Sequence, residues 1–591
     1  MLLAGMVASL AVGSAVTVQA AEADPRDDSS PWAMCSGAEW SNDFPKFNPL
    51  LDQAGIKWLR AWPEWQETQP RQGEWVWETS DKRVANAKAN HIHLVGVFHY
   101  FAKWSSADGG TRKGPVKDMQ FWKDYVGESV KRYKADVKYW EVWNEVNGSF
   151  YEGSEGAQRA KEYADLVVAA YDAAKKADPT AQIGLSMAST DIGFLDLTIQ
   201  AGAAGHFDFI AVHPYENLDA MRYGDEPGFL TLGNTLRQML AANKQNVNTP
   251  LWITEIGSGA PPKPEPKADA RQADMLVKSY ILPLVQGFSR IFWFEIRGPL
   301  YGEESFNLLR EDWSPRPSYV ALKTMTTVLG PEPEYLGWLN LGKGGHGFAF
   351  RNAGKSVLVA WALPGREEQV SFASPVKLTD LTGRESPLAA GKKLALTSTP
   401  VFLGDLPENL VKEARANRDK AFPWGGDYSQ AAAITCRLGE TNVDEGLRQV
   451  FLRKDHENRM MPATADGEPC RRVVSKDKDN SVGYFRADTG FVPYGTQALD
   501  ITVVARRAAS DQPAELALTY EKREGYKDFI KGGERWSIPA GKGWQEHTWH
   551  VTDACFANCW GWHIGLISAG DTKEFLIKEI RVTKATKPPT P

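Results

Sequence analysis

Tyr139-Trp140-Glu141-Val142-Trp143-Asn144-Glu145 is a short apolar run that ends in a carboxylate, and Leu251-Trp252-Ile253-Thr254-Glu255 repeats that plan further along the chain. In an extended strand alternate side chains share a face, so Glu141, Trp143 and Glu145 are expected to point the same way. Working outward, six more runs of strand character appear: Trp32–Cys35, Lys57–Trp62, Leu94–Tyr100, Gln182–Leu185, Phe207–Val212 and Arg290–Phe294. Segments with apolar residues at helical spacing, such as Gln120–Tyr133, Gly156–Ala177 and Asp269–Val285, separate them. Strands alternating with helices predict a parallel sheet with helical crossovers. Eight such units over residues 28–330 predict an α/β fold, the (β/α)8 TIM barrel. The competing open, doubly wound sheet calls for a Gly-rich phosphate turn after its first strand, and none follows Trp32–Cys35.

The pattern changes after Pro331. Gly347–Asn352, Ser356–Leu363, Glu368–Phe372 and Leu394–Phe402 are short runs broken by turn residues, which predicts a small β-domain over residues 331–408. The charged stretch 409–420 is expected to be a linker. Residues 421–583, with strands at Ala498–Val504, Ala514–Tyr520, Gln545–Val551 and Glu574–Val582, predict a C-terminal β-sandwich. A disordered tail is expected over 584–591. Residues 1–20 are apolar and rich in small residues and end in an A-x-A-like context, although no Lys or Arg precedes them. They are expected to be a signal peptide, giving a secreted or periplasmic protein with no membrane span in its mature chain.

The formal net charge is -6 and no basic run stands out, which argues against a nucleic-acid partner. The 22 Trp point instead toward sugars, whose apolar ring faces match flat indoles. Trp424, Trp536, Trp544, Trp549, Trp560 and Trp562 could form a sugar-binding strip on the terminal sandwich or simply its core. Of the five cysteines, Cys35 is expected to be a free buried thiol. Local pairing, Cys436–Cys470 and Cys555–Cys559, is preferred for the other four over a zinc site, because paired C-x2-C units and nearby histidines are lacking.

Two glutamates closing strands four and seven of a barrel face one another across its mouth. That is the arrangement glycoside hydrolysis needs, two carboxyl groups flanking one anomeric carbon. Burial against tryptophan is expected to raise the pKa of Glu145 and keep it a proton donor. The pair Trp143-Asn144-Glu145 and Trp252-Ile253-Thr254-Glu255 resembles clan A of the glycoside hydrolases, most of all family 39 and its close relatives. Gly55-Ile56-Lys57-Trp58-Leu59-Arg60, Trp65, Gln69-Pro70 and Gly73-Glu74-Trp75 resemble the clan's second-strand region. The resemblance covers most of the barrel and none of the last module.

It implies a retaining hydrolase of O-glycosidic bonds in a polysaccharide or oligosaccharide, with Glu145 as acid/base and Glu255 as nucleophile. By the same resemblance Asn144 would bind the sugar 2-hydroxyl and Arg60 would hold Glu255 ionised. Tyr215 would hydrogen-bond Glu255, His213 would line the same wall, and Trp293 would floor the sugar. Glu141 is read as a deeper partner for Arg60. Glu295, His99 and Tyr100 lie near strand ends as further cleft candidates. No metal-ligand cluster is expected in the barrel, and no cofactor. After Glu255 the chain continues Ile256-Gly257-Ser258, without the aromatic-led continuation of family 39 xylosidases, which speaks against xyloside specificity. A non-catalytic carbohydrate-binding or matrix protein on a degenerate barrel is the alternative, and a transglycosylase would use the same residues. The insertions 103–114 and 216–233 are expected to shape the cleft.

Overall fold

The computed structural model describes residues 29–585 except 38–42, 108–109, 452–455, 457–458, 474–480, 510–513, 524–534, 542, 558–560 and 569–573. The expected signal peptide, Cys559, Trp560 and residues 586–591 of the expected tail lie outside the described residues.

Eight parallel strands close into a barrel in sequence order: β1 (Trp32–Cys35), β2 (Trp58–Arg60), β3 (His93–Phe98), β4 (Tyr139–Val142), β5 (Gln182–Ala188), β6 (Phe209–His213), β7 (Leu251–Ile256) and β8 (Phe288–Trp293). β1 pairs with both β2 and β8, which seals the ring. The alternation along each strand divides two cores. Ala33, Cys35, Trp58, Val95, Phe209, Ala211, Trp252 and Phe292 fill the barrel interior. Their neighbours, such as Met34, Leu59, Trp140, Val142 and Trp293, pack outward against the helices. Low in the barrel, the Arg290 guanidinium lies over the rings of Trp58, Tyr139 and Trp252 at 4.1, 5.0 and 4.7 Å, a cationic plug that aromatic faces stabilise. Gly96 on β3 is required by packing: a Cβ there would come within 2.2 Å of the Trp140 ring.

The small β-domain is a six-stranded antiparallel sheet spanning Glu334–Asn340 to Val401–Gly404, plus the pair Glu368–Val370 and Leu394–Leu396. The expected linker is instead largely a helix, Glu408–Asn417, which buries Val411 and Ala414. Those two residues are three apart, a helical spacing that the surrounding charges obscure.

Beyond it, a seven-stranded and a five-stranded sheet pack face to face over one core, to which Ile501 and Ile577 contribute from one sheet and Phe485, Leu516 and Ile564 from the other. Cys436 and Cys470 are free buried thiols, contrary to the expected disulfide. The strand Phe575–Lys584 runs between theirs and pairs with both. Two inter-strand spacings, about 10 Å, exceed what a disulfide spans. Cys555 is also a free buried thiol, and the buried Cys35 thiol donates to the Thr254 carbonyl at 3.0 Å. Trp536 and Trp549 belong to the sandwich core, and Trp424 stacks on His346 at 4.3 Å. Those three indoles have packing roles, so a continuous sugar-binding strip is not available to them.

The sandwich is docked on the barrel. Asp225, just before the barrel helix Glu226–Phe229, is paired with Arg448 (3.2 Å) and Arg486 of the sandwich. Asp196 accepts from Tyr494 Oη at 2.5 Å and pairs with Arg523 at 3.1 Å. Both aspartates are buried, so each pairing draws on a charge removed from water.

Candidate active site

β4 ends at Val142, and the chain then turns through Trp143 and Glu145, both with positive φ (68° and 49°). This break undoes the alternation. Glu141 stays in the barrel interior and is fully buried, and Glu145 reaches the mouth. Trp143 is turned out, into a cluster with Phe101 (4.6 Å) and Tyr151 (5.7 Å). The expectation of a shared inward face thus fails for Trp143, because two left-handed residues rotate the chain where the ladder stops.

Arg60, at the end of β2, organises the floor of the site. Its Nε donates to Glu141 (3.0 Å), Nη1 to Glu255 (2.7 Å) and Nη2 to Asn144 (2.8 Å). A planar guanidinium with fixed donors suits three acceptors at once, where an ammonium would not. Tyr215 Oη donates to Glu255 Oε2 at 3.1 Å, and Asn144 Nδ2 lies 3.4 Å from Tyr100 Oη.

His213, fully buried at the end of β6, sits between the two glutamates. Its Nδ1 is 2.9 Å from Glu145 Oε1 and 3.8 Å from Glu255 Oε2, while Nε2 is 3.1 Å from Thr254 Oγ1. Burial pulls its pKa down, but the two carboxylates outweigh burial and raise it. Glu145 is pushed up by burial and pulled further down by the hydrogen bond and charge of His213, so its net shift is downward. Glu255 is raised, by burial, against the pull of His213 and Arg60. The expected upward shift of Glu145 is therefore reversed, because the His213 imidazole rather than tryptophan sets it.

Oxygens of Glu145 and Glu255 and a nitrogen of His213 lie within 4.8 Å of one another. Such a trio is also spaced as cation ligands are, which the sequence reading did not expect of the barrel. Each member already has a hydrogen-bond partner, and Arg60 supplies positive charge next to Glu255.

Trp293 corrects another expectation. It is fully enclosed on the helix side of β8, with Nε1 donating to the Phe306 carbonyl, so it has no face for a sugar. Parity puts Phe294 inward instead, where its ring meets Tyr215 at 6.4 Å. Glu295 is fully buried against Gly37 and Gly298. His99 holds the Val97 carbonyl through Nδ1, and burial lowers its pKa to about 4. Sequence reasoning missed Thr254, which precedes Glu255 in the motif already singled out. It also missed Glu216, whose carboxyl burial pushes up to about 7 beside Glu145. Its position next to Tyr215 was the available signal.

Residues 63–186, which hold β3, β4, Asn144 and Glu145, match the model of glycosyl hydrolase family 10. The barrel carries the glycoside hydrolase clan A signature. A stretch of this chain is 32% identical over 106 residues to a phospho-cellobiase of Klebsiella oxytoca, covering 18% of this chain and 22% of that protein. It is 31% identical over 116 residues to endo-1,4-beta-xylanase A of Halalkalibacterium halodurans, covering 17% and 28%. The chain thus spans about a quarter of the length of the curated relatives it matches. Among solved structures, a family 39 glycoside hydrolase from the gut symbiont Bacteroides cellulosilyticus WH2 superposes with a TM-score of 0.54 at 23% identity, over 64% of this chain and 81% of that one. The (β/α)8 barrel is thereby the shared fold.

Proposed function

We propose that this protein is a retaining glycoside hydrolase acting on O-glycosidic bonds of an extracellular or periplasmic poly- or oligosaccharide. The observation that carries the reading is the approach of Glu145 and Glu255 oxygens to within 4.8 Å. Retaining enzymes hold their two carboxyl groups about 5–5.5 Å apart, and inverting ones about 6.5–9.5 Å to admit a water between them.

In the first step Glu255 attacks the anomeric carbon and the glycosidic C–O bond breaks, while Glu145 gives its proton to the leaving oxygen. His213 Nδ1, 2.9 Å from Glu145 Oε1, is placed to exchange a proton with it. In the second step Glu145 takes a proton from water, the water oxygen attacks the anomeric carbon, and Glu255 leaves as carboxylate. Arg60 and Tyr215 hold Glu255 in line, and Asn144, itself fixed by Arg60, presents its amide to the sugar 2-hydroxyl. The name of the xylanase relative favours β-1,4-linked glycans as substrates. Export rests on the leader-like stretch at residues 1–20.

The test is hydrolysis of a panel of β-1,4-xylan, β-glucan and β-mannan, with the anomer of the first product read by NMR. Retention is expected, with turnover lost in Glu255→Gln and restored by azide in Glu145→Ala. An inverted product, or unchanged turnover in either variant, overturns the reading. Binding without turnover across the panel favours a non-catalytic carbohydrate-binding barrel.

A further inference from the structure

Arg448 and Arg486 stand directly opposite each other on two paired strands of the sandwich, Leu447–Val450 and Ser481–Ala487. Like charges opposed in this way destabilise a sheet. Here both guanidinium groups bond one oxygen of Asp225, on the barrel loop that follows β6. The barrel is shaped to admit them: a Cβ on Gly228 would come within 1.9 Å of the Arg486 guanidinium. Arg448 Nη1 also donates to the Gly224 carbonyl at 3.2 Å, and the Phe451 ring of the sandwich lies 5.9 Å from that of Tyr223. Three consecutive barrel residues, 223–225, are thus held from the sandwich.

The same loop serves the candidate active site. It opens with the helix Tyr215–Met221, whose first residue donates to Glu255. The segment 223–225 folds back on the end of that helix. The Tyr223 and Asp225 amides donate to the Ala220 carbonyl at 3.0 and 3.3 Å, and the Gly224 amide to Met221 at 3.0 Å. Arg222 reaches the other way, its Nη2 donating at 2.7 Å to Ser258 Oγ, three residues beyond Glu255. One short loop therefore runs from the sandwich arginines to the carboxylate proposed as nucleophile.

We propose that Arg448, Arg486 and Phe451 are positioning residues of the hydrolysis: from the sandwich they fix the loop that seats Tyr215 against Glu255. The inference rests on the glycosidase reading. A loop freed at 223–225 lets the helix Tyr215–Met221 shift, and a displacement of about 1 Å arising far from the chemistry can cost on the order of a hundredfold in rate. On this assignment the sandwich is an arm of the active site.

The test is a double-mutant cycle on the full chain, read on whichever panel glycan the wild type hydrolyses, with amide hydrogen exchange over residues 215–225 measured alongside. Arg448→Met keeps the apolar stem and should lower kcat about five- to tenfold, short of that limit, with KM nearly unchanged. Arg448→Lys should recover most of the loss. In the Tyr215→Phe background, which lacks the hydroxyl through which the loop acts, Arg448→Met should add little. Phe451→Ala should repeat the pattern, and it stands in if Arg448→Met does not fold. Exchange over 215–225 should quicken in both. Unchanged kcat overturns the proposal, as does unchanged exchange, and so do losses that multiply independently in the two backgrounds. A wild type that turns over no glycan sinks the glycosidase reading instead, and the exchange result then judges the brace by itself.

Discussion

His213 Nδ1 stands 2.9 Å from Glu145 and 3.8 Å from Glu255, so one imidazole addresses both carboxylates of the site. Its raised pKa means that its contribution to stability is full below the ordinary imidazole value of 6.5 and is lost as pH climbs through the folded value. Glu145, with a lowered pKa, contributes above the ordinary carboxyl value of 4.5 and loses its contribution as pH falls through the folded one. The pair is therefore most stabilising between 4.5 and 6.5. His213→Gln should lower stability most in that window, by about 2 kcal/mol, the scale of a charged hydrogen bond. Thermal melts of both proteins across pH check this, and a difference that is flat with pH would contradict it.

Arg60 is the common donor to Glu141, Glu255 and Asn144. Arg60→Ala strands the fully buried Glu141, which should cost about 3–5 kcal/mol in denaturant unfolding. Arg60→Lys keeps the charge but not the fork. It should recover part of that stability while kcat stays down at least about tenfold. Equal kcat in Arg60→Lys and wild type would show that the three-way geometry is not used.

Trp293 and Phe294 are neighbours with opposite assignments. Trp293→Ala opens a cavity behind the barrel wall and should cost about 3–5 kcal/mol of stability. Phe294→Ala removes the ring packed on Tyr215 and should lower kcat/KM with a smaller loss of stability. Melting temperatures and kinetics measured side by side separate the two, and an unimpaired kcat/KM in Phe294→Ala would remove it from the site.

Asp225 joins the barrel to the sandwich through Arg448 and Arg486. Asp225→Ala leaves Arg486 buried without its carboxylate, a loss of about 3–5 kcal/mol. Calorimetry should then resolve two transitions in the variant where the wild type unfolds as one. Two transitions in the wild type would mean that the latch does not couple the units.

Glu145, His213 and Glu255 are close enough to share a cation, yet the proposed chemistry moves only protons and one glycosyl group. Dialysis against EDTA should leave turnover unchanged. A loss that added divalent ions restore would assign the trio to a metal instead.

The barrel was legible because its signal is local. Each strand is a short apolar run with its own period, and all eight runs matched observed strands to within a few residues. The helix Glu408–Asn417 was not, because only Val411 and Ala414 are buried and the charged residues between them read as solvated linker. Glu145 and Glu255 could be picked out because each lies at or just beyond the end of a recognisable apolar run. What the sequence could not carry was direction at the point where the ladder ends. Two left-handed residues turned Trp143 away from the mouth, and one step of parity exchanged Trp293 for Phe294. The proton balance was equally out of reach, since His213 lies 68 residues from Glu145 and only closure of the barrel brings its charge within 2.9 Å. Chain chemistry by itself thus determined which residues end the strands and what they can donate or accept. Tertiary structure decided which way they face and who shares their protons, because orientation and electrostatics depend on neighbours that are distant in sequence.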